Sequence, residues 1–125
     1  MARPAATSAF SIWNSPTIDV KRKVLYAGTG DNHSHPATTT SDAVLAIALD
    51  SGKIVWHRQL TPADAFNVAC VTPDKTNCPD PRGPDHDIGS SVNLVALRNR
   101  DVLVVGQKSG IVWALDPDKQ GAVLW

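Results

Sequence analysis

The sequence is poor in the features that mark several large classes of protein. No apolar run approaches the roughly 20 residues that a membrane-spanning helix requires. The opening stretch MARPAATSAFSIW has one Arg and several small residues, without the continuous apolar core of a secretory leader, so compartment is not legible there. Neither sign of charge is in excess. Twelve Lys and Arg balance twelve Asp and Glu, and no net field would gather nucleic acid or an anionic membrane. Cysteine is limited to Cys70 and Cys78, and the absence of Cys-x-x-Cys-His excludes a covalently attached c-type haem from these 125 residues. No apolar segment has the length and spacing of an amphipathic helix.

What is present is 42% hydrophobic residues, ordinary for one small globular domain, distributed in short Val-, Ile-, Leu- and Ala-rich runs between turn signals. These runs predict strands over Ile12 to Ile18, Lys23 to Gly28, Ala43 to Leu49 and Ile54 to Leu60, then over Ser91 to Leu97, Val102 to Gln107, Ile111 to Leu115 and Ala122 to Trp125. The two sets repeat one another: VLAIALDSGKIVW and IVWALDPDKQGAVLW share an Ala-Leu-Asp-like step, a Gly turn and a closing Trp. A repeated four-stranded unit points to an all-β fold, with two antiparallel blades of a β-propeller. The expected layout is an extension over residues 1–11, a first blade over 12–60, an inserted loop over 61–90 and a second blade over 91–125. Two blades do not close a ring, so the chain is expected to be a fragment or to assemble with something that completes it. Within the insertion, Cys70 and Cys78 share a Pro-, Asp- and Asn-rich segment and are expected within bonding distance. A disulfide there would contribute about 2–3 kcal/mol in an oxidising compartment. Two unpaired loop thiols are the alternative.

The segment Ala46, Ser51, Gly52, Lys53, Trp56 resembles the A-x-D-x-x-T-G-K-x-x-W tryptophan-docking repeat of dehydrogenase propellers dependent on pyrroloquinoline quinone (PQQ), with Ala48 in the usual Asp place. A second copy keeps Ala114, Asp116, Gly121 and Trp125 with one extra residue in the turn. SPTID, LYAGTGDN, QLTPADAFN, GPDHDIGSS and GQKSGIVWALD follow in the order of the alcohol dehydrogenase branch, and the Cys-bearing insertion is similar to polyvinyl-alcohol dehydrogenases. The resemblance implies an eight-bladed ring, PQQ and Ca²⁺ as cofactors, an alcohol substrate with polyvinyl alcohol among the candidates, a cytochrome c electron acceptor and a periplasmic or secreted location.

Antiparallel order places the loops after second and fourth strands on one face, so 31–42, 61–89 and 108–110 should converge, while tight turns occupy the other face. On the converging face the resemblance implies Asp31 or Asn32 as an oxygen ligand for Ca²⁺, Asp87 as the base that takes the alcohol proton, with Asp85 its rival, and Lys108 as a donor to the quinone. Without the resemblance each is an ordinary turn or strand-end residue. Asn67 stands where the family motif has a second Asp and has no basicity to offer. His33 and His35 could suggest a transition metal, but no third soft ligand lies near them, and Ser90 lacks the surroundings of an activated nucleophile. Two rivals stand beside the oxidoreductase reading: a non-catalytic propeller scaffold of the outer-membrane assembly type, and an inactive truncated chain.

Overall fold

The computed structural model describes residues 9–125, so the expected extension over residues 1–11 lies mostly outside the described residues. Eight strands form two separate four-stranded antiparallel sheets in simple sequential order. The first blade holds β1 (Thr17–Asp19), β2 (Val24–Gly28), β3 (Ala43–Ala48) and β4 (Ile54–Gln59), and the second holds β5 (Asn93–Ala96), β6 (Asp101–Gly106), β7 (Val112–Asp116) and β8 (Ala122–Val123). Short 3₁₀ turns occupy Val68–Val71 and Pro117–Lys119.

Most boundaries fall within one or two residues of the sequence expectation, and those of β1 and β8 differ for identifiable reasons. β1 begins at Thr17 rather than Ile12, because Pro16 has no N–H for a ladder and the preceding chain is anchored through a side chain instead: the Asn14 amide donates to the carbonyls of Gly28 (2.9 Å) and Ile88 (2.8 Å). β8 is short, although the main chain continues alongside β7, the Ala114 N–H donating to the Trp125 carbonyl at 2.9 Å.

The two blades are alike in register. Gly28 faces Val44 and Gly106 faces Val112, Ala46 lies opposite Trp56, and Ala114 bonds to Trp125. In each blade one extra residue bulges from the last strand just before the Trp: Ile47 faces Ile54, and Leu115 faces Val123. Trp56 and Trp125 are therefore equivalent. The core lies between the blades, where Val24, Tyr26, Val44 and Ala46 of the first meet Val92, Leu103, Val105 and Leu115 of the second, with Trp56, Leu94 and Trp113 packed around them. Gly121, at φ 67°, sits so close to Trp56 that an added Cβ would come within 2.7 Å of the indole. At the end holding the tight turns, Arg22 crosses the interface to Asp118 (2.7 Å) and Asp101 (2.9 Å) while pairing with Asp19 (2.8 Å) in its own blade.

Candidate functional site

At the opposite end, β2 exits through Thr29-Gly30-Asp31. The Thr29 N–H bonds to Ala43 O and the Gly30 N–H to Ser11 O, which directs the next amide outward from the ladder. That amide, on Asp31, donates to Asp87 Oδ1 at 2.6 Å. A Cβ at Gly30 would lie 2.6 Å from the same oxygen, so the close approach requires glycine. Asp87 belongs to the return segment of the insertion, and the buried Asp64 carboxylate holds that segment by accepting from the N–H groups of Asp85 (3.3 Å) and His86 (2.8 Å). The third contributor is the β6–β7 turn. The Lys108 N–H donates to Asp87 O, and its ammonium reaches Asp85 Oδ1 and Asp87 Oδ2, both at 2.7 Å. The same ammonium lies 5.7 Å from the centre of the Trp13 ring.

Carboxylate oxygens of Asp31, Asp85 and Asp87 all lie within 4.8 Å of one another. Burial, then the neighbouring charges of Asp87, Asp64 and Asp85, push the Asp31 carboxyl up to about 7, even though Lys108 acts in the other direction. Burial alone would lower Lys108, but its hydrogen bonds to Asp85 and Asp87 outweigh this and hold the ammonium above its ordinary range. The negative field around Asp31 is thus only partly neutralised from within the chain. An all-oxygen donor set in such a field suits a hard divalent cation such as Ca²⁺. The cluster opens into a cleft of about 520 Å³, whose other walls include Ser11, His33, Phe66, Val68 and Val71.

Of the residues singled out from sequence, Asp31, Asp87 and Lys108 come together. Asn32 turns away: its buried Oδ1 accepts from the Thr38 N–H (2.6 Å) and hydroxyl (3.1 Å), which braces the 31–42 loop. Asn67 ties loops together, donating to the carbonyls of His33 (3.0 Å) and Asn77 (2.8 Å). His35 lies against Pro81 O at 2.8 Å, and among the described residues neither His joins a three-residue ligand cluster. Ser90 is occupied by the backbone of Gly106. Cys70 and Cys78 are disulfide-bonded, with Cα atoms 4.8 Å apart. From sequence Asp85 is a rival base to Asp87, and in the structure it is the third carboxylate of the cluster. The Asp-x-Asp spacing was the available signal, but it takes the positive φ of Asp85 (63°), set by the Asp64 tie, to bring both acids to one place.

No protein-family model matches the chain. It is 42% identical over 116 residues to a polyvinylalcohol dehydrogenase of a Pseudomonas species, covering 92% of this chain and 18% of the relative. Over 121 residues it is 38% identical to a polyvinylalcohol dehydrogenase of a Sphingopyxis species, covering 94% of this chain and 18% of the relative. The crystal structure of quinohemoprotein alcohol dehydrogenase from Comamonas testosteroni superposes with a TM-score of 0.65 at 22% identity, covering 94% of this chain and 17% of that one. The chain is thus a homologue of one segment of alcohol-oxidising dehydrogenases, its sheets are blades of their propeller type, and it spans about 18% of the length of the curated relatives it matches. Among the described residues no helix is long and apolar enough to cross a membrane.

Proposed function

We infer that this chain supplies part of the active-site end of a PQQ-dependent alcohol dehydrogenase. The reading is carried by the convergence of Asp31, Asp85, Asp87 and Lys108 from three loops at one end of the blades. Asp31 would supply an oxygen ligand to Ca²⁺, and Lys108 would donate to the quinone oxygens. When bound, the ion and the quinone supply a Lewis acid and a hydride acceptor. Asp87 takes the hydroxyl proton of the alcohol as hydride leaves the carbon, a role suited to a carboxylate fixed by the Asp31 amide. Lys108 places positive charge where negative charge develops and keeps both acids oriented. The exposed valines beside the cluster, Val68 and Val71, give the alcohol an apolar wall. The substrate class is an alcohol, polyvinyl alcohol included, the electron acceptor a cytochrome c, and the compartment the periplasm or the cell exterior.

A second assignment of the base is favoured by one observation. Asp85 is the more open carboxylate, its side chain 32% exposed against 10% for Asp87. The test is alcohol oxidation with an artificial acceptor, alongside PQQ titration, in an intact propeller carrying this segment. Asp87→Asn is expected to lower turnover about 10²–10⁴-fold while PQQ is retained, and Lys108→Ala to lower both rate and PQQ retention. Loss of turnover in Asp85→Asn but not in Asp87→Asn moves the base to Asp85. No effect from either removes the catalytic reading of this loop. No observation favours the scaffold alternative, which gives a converging set of acids and a lysine no role.

A further inference from the structure

The candidate site is assembled from loops that are far apart in sequence, and one buried residue touches two of them. Asp64 stands near the start of the insertion and is fully buried. Its carbonyl accepts from the N–H of Asn32 at 3.3 Å, and the Asn32 carbonyl accepts in return from the N–H of Phe66 at 2.8 Å, which fixes the chain immediately after Asp31. Its carboxylate accepts from the N–H groups of Asp85 (3.3 Å) and His86 (2.8 Å), which fixes the chain immediately before Asp87. Both halves of the 2.6 Å bond between the Asp31 amide and Asp87 Oδ1 are therefore placed from the same residue. Gly83 makes the approach possible. Its N–H donates to Ala65 O at 2.9 Å, and a Cβ there would run into Asp64 Oδ1 and lie 2.7 Å from the Ala65 nitrogen.

The insertion thus has two closures, one inside the other. The Cys70–Cys78 disulfide ties the inner loop. Asp64 and the bond from Gly83 to Ala65 tie the outer one, between the disulfide and the acid cluster. A buried carboxylate with two charge-assisted bonds to main-chain N–H groups is a stiff anchor, so Asp85 and Asp87 are insulated from movement of the tip. The tip carries Val68 and Val71, which flank Cys70 and line the cleft.

We propose that Asp64 is the positioning residue for Asp87, and that the disulfide has no part in placing the base. The inference rests on the reading of Asp87 as the base, and Asp64 acts on the reaction only through it. The test uses alcohol oxidation by an intact propeller carrying this segment. Asp64→Asn turns an N–H donor toward one of the two amides, and a displacement of about 1 Å is enough to lower kcat about 10–100-fold while KM stays within about twofold. Gly83→Ala pushes the same carboxylate aside without removing its charge and should do likewise. A loss confined to Asp64→Asn would assign the effect to charge and overturn the proposal. In an Asp87→Asn background, Asp64→Asn should add a loss of about twofold or less, whereas losses that multiply would make Asp64 an independent structural residue. Cys70→Ser with Cys78→Ser should leave kcat within about twofold and raise KM, because the valine wall loosens. A fall in kcat as large as that of Asp64→Asn would overturn the division of roles. The two readings fail differently: unchanged turnover in Asp87→Asn removes the base, whereas an inactive Asp87→Asn beside a fully active Asp64→Asn keeps the base and removes its positioning residue. Amide hydrogen exchange of the chain without cofactor gives a readout separate from activity. The amides of Asp31 and Lys108 bond to Asp87 and not to Asp64. In Asp64→Asn both should nonetheless exchange about tenfold faster, together with those of Asp85 and His86, while the amides of β2 and β3 keep their protection. Protection retained at Asp31 and Lys108 would show that Asp87 holds its place without Asp64.

Discussion

Strand for strand the two blades coincide, yet their loops and their surroundings differ. In the first blade, residues 29–42 join the middle strands, and a long insertion closed by a disulfide follows the last one. In the second, β6 and β7 are joined by a turn over 107–111. The ladders fix direction and register, and the loops then decide which side chains meet. The candidate site needs both kinds of loop: the long ones bring Asp31, Asp85 and Asp87, and the tight turn holds Lys108 rigidly among them. The same comparison shows that equivalent residues have unequal energetic roles, because the Trp56 face of the first blade is covered by the second, while the equivalent Trp125 face is exposed among the described residues.

The largest expected contrast is between the two tryptophans. Trp56 packs on Gly121 and lies 5.8 Å from the Tyr26 ring. Trp56→Ala should cost about 3–5 kcal/mol in urea unfolding. Trp125→Ala, measured on the monomeric chain, should change stability by about 0.5 kcal/mol or less. Equal losses would mean that the blades do not form one core.

A smaller contrast separates Arg22 from Arg100. Arg22→Ala leaves the buried Asp19 carboxylate with only the Tyr26 hydroxyl (3.0 Å) and the Arg22 amide (3.0 Å), and should cost about 2–3 kcal/mol near neutral pH. Arg100→Ala, at the exposed equivalent, should cost about 0.5 kcal/mol or less. The acid side of the stability curve tests the same cluster. Burial alone would raise Asp19, but hydrogen bonds from Arg22 and Tyr26 prevail and hold its carboxyl below the ordinary carboxylate value. A lowered folded value stabilises above the unfolded value of 3.8 and is lost as pH falls through the folded one. Arg22→Ala should therefore flatten the loss of stability below about pH 4. An unchanged acid limb would exclude this cluster as its source.

Much of this frame is legible in the amino-acid sequence. The strands could be read because short apolar runs ended at Asp, Gly and Asn turns, and the repeat fixed the equivalence of Trp56 and Trp125. Antiparallel order alone placed Asp31, Asp87 and Lys108 on one face. What could not be read depends on contacts distant in sequence. Asn14 replaces the start of β1 through bonds to Gly28 and Ile88. Asp64 draws Asp85 into the cluster from 21 residues away. Trp13 and Ser11 reach the site from before the first strand, in a segment whose apolar residues read as part of that strand.

The smallest contrast lies just before the third strand of each blade. The second blade has Gly110 at φ 84°, as a left-handed position favours, whereas the first has Asp42 at φ 48°. Asp42 is fully buried, and neither of its carboxylate oxygens has a hydrogen-bond partner. Burial, followed by the charges of Asp64, Asp31 and Asp87, pushes its carboxyl up to about 8. The folded state therefore binds a proton that the unfolded state has released, and where the native state holds more protons, stability falls as pH rises. The fall should run from about pH 4, the unfolded value, to about pH 8, with Asp31 contributing up to about 7. Asn tolerates the left-handed conformation and does not titrate. Asp42→Asn should thus match the wild type near pH 4 and exceed it increasingly as pH rises, by about 1.4 kcal/mol per pH unit between the two values. Urea unfolding at the two pH values measures the difference. If the wild type and Asp42→Asn lose stability equally between them, the buried acid is not the source of the slope, and Asp31 with its cluster must account for all of it.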